Sequence, residues 1–484
     1  MNLESIFKKK SLAIQRQYSE NLFPKIFAGW ALLTFLISFN SFFGDGLLST
    51  YSSHPCFPSF QGCKSLFETF NLIPLPYAYG ESVFFTILFG IIVLGAFYIY
   101  KKEYFKTHVL LWLLLAVKTF IVVTNYGVGN FDYYDIVIIF VFLIYPSRID
   151  LVKLTLVILY FLASTIKIHE GWILGTYFSS LVYGLPLIPD ALIPLAVNVV
   201  TIMQIVGCWF LLSKNRKISD YTMYFFIFFH LYSTILVAYR YPITTVLSLL
   251  IIFVISRDTN YVNDFSLRKN TVVFYLFVVF LFSLQSIAIL IPGDQKLTLE
   301  GNNYGLYMFE ANHQCISRVQ QIGKPEIVKM SYDSRNRCDP YIYLKSIQSL
   351  YCSKATTTNK VHWVFDHSIN GEPLRRIVDE ADVCTLVYLP FTHNTWIKTE
   401  KEAPIVGNVY KNVTLTSRGG DTNILTKDGY IFPSFLAKSS PVTKTALQLF
   451  LEKYIIEIKY FYWGIWFSSL SYALYILIKN TVKR

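Results

Sequence analysis

Long runs of apolar residues recur along most of the chain, and short polar segments separate them. Runs of this kind can cross the ~30 Å hydrocarbon core of a bilayer as helices. The pattern predicts membrane spans at about 26–43, 83–100, 107–125, 134–146, 151–167, 190–213, 219–239, 243–256, 272–292 and 457–478. Because 134–146 and 243–256 are short enough to be re-entrant or half-buried segments, we expect eight to ten transmembrane helices.

The basic residues predict how these spans are oriented. If the N-terminus is cytoplasmic, the loops 101–106, 146–150, 213–220 and 256–269 and the tail 479–484 all fall on the same side of the membrane. Short cytoplasmic loops carry an excess of Lys and Arg in membrane proteins. The pattern therefore favours an even number of spans with both termini in the cytoplasm.

Between the last two predicted spans lies a region of ordinary polar composition, 293–455. It contains alternating runs, "KVHWVFDH" and "NVTLTSRGG", and a helix-like segment, "DPYIYLKSIQSLYC". We expect an extracytoplasmic α+β domain rich in β-strand here. The predicted fold class is a polytopic α-helical membrane protein, with four parts: a cytoplasmic N-terminal segment (1–24), a transmembrane domain (25–292), this outer domain (293–455), and a C-terminal span with a basic cytoplasmic tail (456–484).

Composition supports a membrane protein and argues against a nucleic-acid partner. The chain is 54% hydrophobic and only 15% charged, with a net charge of +12. Its basic residues lie mainly in the short clusters between apolar runs, where they would orient the spans. The expected partner is membrane lipid.

Cysteine placement fits this topology. Six of the seven cysteines fall in segments predicted to lie outside, and only Cys208 lies in a span. An even number on one side is typical of an oxidising compartment. We expect disulfides among Cys56, Cys63, Cys315, Cys338, Cys352 and Cys384, with Cys56–Cys63 a plausible short loop and the pairing of the other four open; buried free thiols are the alternative.

The stretch "STIKIHEGW" places ionisable side chains at the end of a predicted span. It contains Lys167, His169, Glu170 and Trp172. Charged groups within a membrane usually face an interior cavity and a partner. In the alternative, Lys167 extends to the membrane surface and Trp172 belongs to an interfacial aromatic belt. The residues that follow predict an amphipathic segment along the outer membrane face.

Other polar residues occur within apolar runs. His230 lies in the seventh predicted span, where it is either held by a neighbouring hydroxyl or carbonyl group or acts in proton transfer or ligand contact. Lys118 lies in the third span. Asp132 and Asp135 form a carboxylate site or cap a helix.

The outer region holds further candidates, Glu310 and His313, shortly before Cys315. His362, Asp366 and His367 lie close together in sequence, but their spacing matches no standard zinc pattern, so we predict no metal site.

The segment "YFLASTIKIHEGWILGTYFSSL", followed by "FFIFFHLYS", resembles the membrane core of the vitamin K-dependent γ-carboxylase superfamily, the horizontally transferred transmembrane (HTTM) proteins. In that family a lysine lies five residues before a Trp, a Gly follows, and a later span carries Phe-His. The matching residues are Lys167, Trp172, Gly175 and His230. The layout of a helical bundle before an outer domain is also similar.

The resemblance implies a carboxylase-like, lyase-type enzyme. It would use reduced vitamin K or another lipid quinol and act on an exported peptide or protein. Lys167 and His230 would be catalytic, with Lys167 deprotonating the quinol, and His169, Glu170, Trp172 and Asp132 would lie around them.

The chain departs from the carboxylases at two places. It reads Ile-Lys-Ile-His at 166–169, where they have paired lysines and then Leu-Asp, and its "GNFDYYD" lacks the histidine of their Asn-His step. γ-Carboxylation itself is therefore left open. The alternatives are a non-catalytic membrane maturation or scaffold factor for a secreted peptide and, third, a transporter.

Overall fold

The computed structural model of the chain describes residues 3–44, 56–61, 77–124, 126, 131–181, 184–237, 240–258, 271–307, 311–323, 327–330, 338–352, 360–407, 416–417, 420–421 and 442–482. These residues are mostly helical and include a five-stranded antiparallel sheet. The α-helices are Leu3–Glu20, Leu22–Gly44, Tyr77–Tyr100, Tyr104–Thr124, Phe131–Ile144, Ile149–Ser164, Glu170–Ile173, Thr176–Ser179, Ile193–Ile202, Cys208–Phe210, Arg216–Val237, Arg240–Asp258, Val272–Leu290, Gln295–Thr298, Pro340–Ile347, Ala446–Lys453 and Ile455–Val482.

Among the described residues, seven helical segments are long and apolar enough to cross a membrane. They are Leu22–Phe42, Ser82–Tyr100, Tyr104–Thr124, Ile149–Lys167, Asp190–Phe210, Val272–Leu290 and Ile455–Val482. Each coincides with an apolar run predicted from the sequence. The other three predicted runs also form helices, Phe131–Ile144, Arg216–Val237 and Arg240–Asp258, of which the last contains a shorter apolar part, Pro242–Ile255.

The chain folds into two compact units. The first consists of residues 1–161, 207–279 and 470–484 and is a helical bundle. Its core is rich in aromatic rings, such as Phe27 and Phe142, whose centroids lie 4.7 Å apart. Trp30 Nε1 donates a hydrogen bond to the carbonyl oxygen of Thr244 at 3.1 Å, which joins two helices distant in sequence.

The second unit consists of residues 162–206 and 280–469 and contains the five-stranded sheet. Its strands are β1 (His313–Gln321), β2 (Ile327–Met330), β3 (Val361–Ile369), β4 (Leu374–Glu380) and β5 (Ile405–Gly407), in the order β2-β1-β3-β4-β5. A separate hairpin pairs Thr416–Ser417 with Gly420–Asp421.

The alternating apolar residues of "KVHWVFDH" lie on one buried face of strand β3. Val361, Trp363 and Phe365 are fully buried on one face. The strand pairs with β1 from His313↔Ile369 to Gln321↔Val361. The strand predicted at "KVHWVFDH" is confirmed, as is the helix predicted at "DPYIYLKSIQSLYC", which spans Pro340–Ile347 and begins at the N-cap Asp339.

Within the described residues, one disulfide joins strand β1 to the segment before the helix Pro340–Ile347, and another joins the end of the turn after that helix to the turn after β4. Cys315 bonds Cys338, and Cys352 bonds Cys384. The prediction that these four cysteines form disulfides is confirmed. Cys56 is buried, and Cys63 lies outside the described residues.

The segment after Lys167 differs from the expected amphipathic segment. It forms two four-residue helices, Glu170–Ile173 and Thr176–Ser179, and residues 171–181 are buried. Gly175 separates the helices because its positive φ of 72° interrupts the helical path. Gln448 further fixes this segment: its Nε2 donates to the Leu174 carbonyl and to Ser179 Oγ, each at 2.9 Å.

Candidate functional site

Lys167 lies at the end of a candidate span and inside the second unit. The helix Ile149–Ser164 tightens into a 3₁₀ turn at Thr165–Lys167. The Lys167 side chain is only 6% exposed. Its Nζ donates to the Ala163 carbonyl oxygen at 3.3 Å and lies 4.9 Å from the centre of the Trp172 ring. Lys167 is therefore packed within the protein and not extended toward a surface.

The Trp172 ring that faces Lys167 is held in place from two sides. Its Nε1 donates to Thr201 Oγ1 at 3.1 Å, and its ring stacks on Tyr177 with centroids 5.9 Å apart. The side chain is buried. Trp172 thus provides a fixed aromatic face for the Lys167 ammonium, an arrangement that stabilises a cation.

A second buried lysine, Lys296, lies in the same neighbourhood. It belongs to the short helix Gln295–Thr298 and is fully buried. Its Nζ lies 4.8 Å from the centre of the Tyr307 ring, and its charge is close enough to Lys167 for the two to repel each other. Tyr307 in turn donates its hydroxyl to the Gln285 carbonyl at 3.1 Å.

Gln285 joins the turn that carries Lys167 to the segment that carries Tyr307, whose ring faces Lys296. Its Nε2 donates to Thr165 Oγ1 at 2.9 Å, and its Oε1 accepts from the Leu306 amide at 2.7 Å. Both bonds are buried, so breaking one would leave a polar group unsatisfied in the interior. Gln285 therefore fixes the turn that ends in Lys167 against the segment that contains Tyr307.

His169 and Asp294 form a pair beside the lysines. His169 caps the helix Glu170–Ile173 by accepting from the Gly171 amide at Nδ1, so its Nε2 donates to Asp294 Oδ1 at 3.2 Å. Asp294 also accepts from the Lys296 amide at 2.8 Å. Burial alone would raise the pKa of Asp294, but His169 and the Lys296 amide outweigh it and hold that pKa below its usual range.

Two histidines on neighbouring strands extend this polar region. His367 Nδ1 donates to the Leu297 carbonyl at 2.6 Å, so its Nε2 accepts from His313 Nδ1 at 3.2 Å. Both side chains are buried. Burial lowers the pKa of His367 to about 4, although the Leu297 carbonyl and Asp294 act in the opposite direction. His367 is therefore a neutral imidazole at pH 7.

The other candidate residues lie apart from this polar region or outside the described residues. His362 pairs with Asp379 at 2.9 Å, and Asp366 bonds Arg318 and Arg376, so neither joins His367. Within the part of the chain that the structure describes, no group of three or more His, Cys, Asp or Glu residues is placed to hold a metal ion. Glu170 is half-buried in the first turn of its helix, and Glu310 falls outside the described residues.

His230, Asp132 and Asp135 belong to the first unit. The Tyr160 hydroxyl lies 2.6 Å from His230 Nε2. Lys118 Nζ lies 2.9 Å from Asp132 and 3.4 Å from Asp135. The two aspartates therefore face a buried cation, as a carboxylate site would.

The sequence predicted Lys167, His169, Trp172 and His313 as site residues, and the structure places several further polar residues beside them. These are Gln285, Asp294, Lys296 and, as a partner of His313, His367. One signal was available, because Gln285 interrupts the apolar run 272–290 and polar groups in such runs usually have a role. No protein-family model, curated protein or solved structure matches this chain.

Proposed function

We propose that this protein is a multi-pass membrane protein that binds a weakly acidic, lipid-soluble hydroxyl compound, such as a quinol, at Lys167 and Lys296. The proposal rests on one observation: two buried lysine ammonium groups share a neighbourhood, and each lies over an aromatic ring. Two cations kept from water are unfavourable together, and the nearby Asp294 carboxylate offsets only one of the two charges. A quinol oxyanion would offset the other charge.

The chemistry assigned to the two lysines differs. Lys167, at the end of a candidate span, would accept the proton of the hydroxyl in its neutral amine form. Lys296, which is held over Tyr307, would stabilise the oxyanion that remains. Reduced vitamin K or another lipid quinol would provide the acidic hydroxyl, as the resemblance to the γ-carboxylase superfamily implies.

The proposed topology follows the sequence. Eight to ten spans would place both termini in the cytoplasm and residues 293–455 outside, where an exported peptide or protein could reach the site. One observation favours the alternative of a non-catalytic maturation factor. Val387, Leu389 and Phe391 are at least half exposed within one short segment, which suits contact with a partner protein.

The test measures quinone copurification and activity together. We expect mass spectrometry of the purified protein to detect a bound quinone that is lost in Lys167→Ala. Activity, or complementation in a host strain, should fall sharply in Lys167→Ala and scarcely recover in Lys167→Arg, because a guanidinium stays protonated and cannot act as a base.

The matched control is Lys345, a half-buried lysine that lies 5.9 Å from the Tyr341 ring. Lys345→Ala should leave the bound quinone in place. Wild-type activity in Lys167→Arg would contradict the assignment of Lys167 as a base, and a protein that binds no quinone at all would contradict the substrate class.

A further inference from the structure

The first unit contains a buried charge cluster of its own. Lys118 Nζ contacts Asp132 at 2.9 Å, Asp135 at 3.4 Å and Ser38 Oγ at 2.9 Å. All four side chains are buried. One cation thus faces two carboxyl groups in the interior of a helical bundle.

The charge balance of this cluster calls for one extra proton. Lys118 with two ionised carboxylates would carry a net negative charge away from water, which is strongly unfavourable. Two carboxyl groups that share a site avoid this by sharing a proton. With one proton between Asp132 and Asp135, the cluster is neutral.

Asp135 also lines a small cavity that has room for about one water molecule. Most of the cavity surface is apolar, with Ile138, Leu156 and Leu159 in its lining, and Thr244, Thr245 and Ser248 lie at its edge as well. Tyr160 lies on the same cavity. A water molecule there would have the Asp135 carboxyl group and the Tyr160 hydroxyl as the two hydrogen-bonding partners that buried water requires.

Tyr160 connects this cavity to His230. Its hydroxyl lies 2.6 Å from His230 Nε2, and both side chains are buried. Their rings are 5.7 Å apart, so the contact is part of the packed core. The hydroxyl of Tyr160 can therefore accept a hydrogen bond from the cavity while it donates one to the imidazole.

We propose that the first unit is a proton relay, in which a water molecule in this cavity and the Tyr160 hydroxyl pass a proton between Asp135 and His230. Asp135 releases its proton to the water, the water passes one to the Tyr160 oxygen, and Tyr160 gives its own to His230 Nε2. The net change is a carboxylic acid and a neutral imidazole becoming a carboxylate and an imidazolium. The relay does not rest on the quinol-binding role of Lys167.

The test follows the protonated carboxyl group by infrared spectroscopy of the full-length protein in lipid nanodiscs. We expect a carboxylic-acid C=O band at neutral pH that is absent in Asp135→Asn, because the remaining Lys118–Asp132 pair is already neutral. Asp135→Glu, which keeps the carboxyl group, should shift the band and so assigns it even if the asparagine variant fails to fold.

Transfer into heavy water then measures how fast that proton exchanges. Tyr160→Phe should slow the deuterium shift of the band at least tenfold, because it removes the hydroxyl that links the cavity to His230. Tyr232→Phe is the matched control, since Tyr232 lies on the same helix as His230 but does not line the cavity. The relay is overturned if the wild type shows no such band or if Tyr160→Phe exchanges at the wild-type rate.

Discussion

Lys167 and Lys296 show how this chain keeps charge away from water at single residues. Each ammonium lies over an aromatic ring, and each ring is itself hydrogen-bonded, Trp172 to Thr201 and Tyr307 to Gln285. Rings fixed in this way cannot move aside to let the lysines reach solvent. Once Lys167 has accepted the proton, the quinol oxyanion would lie beside two cations that are already in position, which favours binding because little ordering is required.

The first residue-scale prediction concerns Lys296, which sequence reasoning missed. Lys296→Met keeps most of the length of the buried side chain and removes its charge. We expect at least tenfold weaker binding of reduced vitamin K, measured by equilibrium titration of the purified protein, because the oxyanion loses one of its two cations. Lys345→Met should bind as the wild type does, and equal loss in both variants would rule out a specific role for Lys296.

The second residue-scale prediction is that His367 makes the stability of the protein depend on pH. Its pKa in the fold is about 4, below the ~6.5 of an exposed histidine, so the unfolded chain binds the proton more readily. Stability should therefore fall as pH drops from 6.5 to 4, by about 3 kcal/mol from this residue. Denaturant unfolding in detergent, followed by tryptophan fluorescence, measures it. His367→Gln should flatten the dependence, because glutamine does not titrate, and a pH dependence equal to that of the wild type would contradict the prediction.

At the scale of elements, the break between the helices Glu170–Ile173 and Thr176–Ser179 positions the site. Gly175 has a φ of 72°, and a Cβ there would lie 2.7 Å from Ile193 Cγ2. The left-handed backbone and the close neighbour both require glycine. The turn therefore sets the angle at which Trp172 and Tyr177 meet.

Gly175→Ala should accordingly destabilise the protein by more than ~1 kcal/mol, because an L-residue is strained at this φ and the new methyl group clashes. Thermal unfolding of the purified protein is the measurement. Gly464 is the control: it lies in the helix Ile455–Val482 with no neighbour within 4 Å of an added Cβ. Gly464→Ala should be neutral or slightly stabilising, and equal effects in the two variants would contradict the strain argument.

The disulfides give another prediction at this scale. The Cys352–Cys384 bond closes a loop of 32 residues. The double variant Cys352→Ser/Cys384→Ser should lose ~2–4 kcal/mol of stability, since the unfolded chain regains loop entropy. Limited proteolysis should then cut the region 338–407 faster. Cys208→Ala, a buried thiol that forms no disulfide, should leave that cleavage rate unchanged.

Local hydrophobic patterns predicted the helices and strands well, whereas the site around Lys167 depends on contacts between residues far apart in sequence. The apolar run 272–290 and the alternation in "KVHWVFDH" each correspond to an observed helix or strand. The bonds Gln285–Thr165 and His169–Asp294 join residues 120 and 125 positions apart. No local pattern encodes such pairs, so the sequence could not show that Lys296 lies beside Lys167. For the same reason, the sequence could not show how Cys315, Cys338, Cys352 and Cys384 are paired.

For the whole molecule, the orientation in the membrane is open to a direct test. The basic loops predict that 101–106 and 214–217 are cytoplasmic and that 293–455 is outside. In intact cells, an impermeant maleimide should label Lys401→Cys but not Lys102→Cys or Lys217→Cys, all of which are exposed positions. Permeabilised cells serve as the labelling control. Labelling at position 102 in intact cells would overturn the topology.

The contact of Gln448 with Leu174 and Ser179 has a consequence for biosynthesis. It joins residues 274 and 269 positions apart, so the turn beside Lys167 lacks this support until nearly the whole chain has been made. At ~5–20 residues per second, a ribosome needs on the order of 15–55 s to make the intervening chain. During that interval, the Leu174 carbonyl and the Ser179 hydroxyl lack the partner that Gln448 gives them in the folded protein, so segment 168–181 is where we expect a membrane insertase or chaperone to bind.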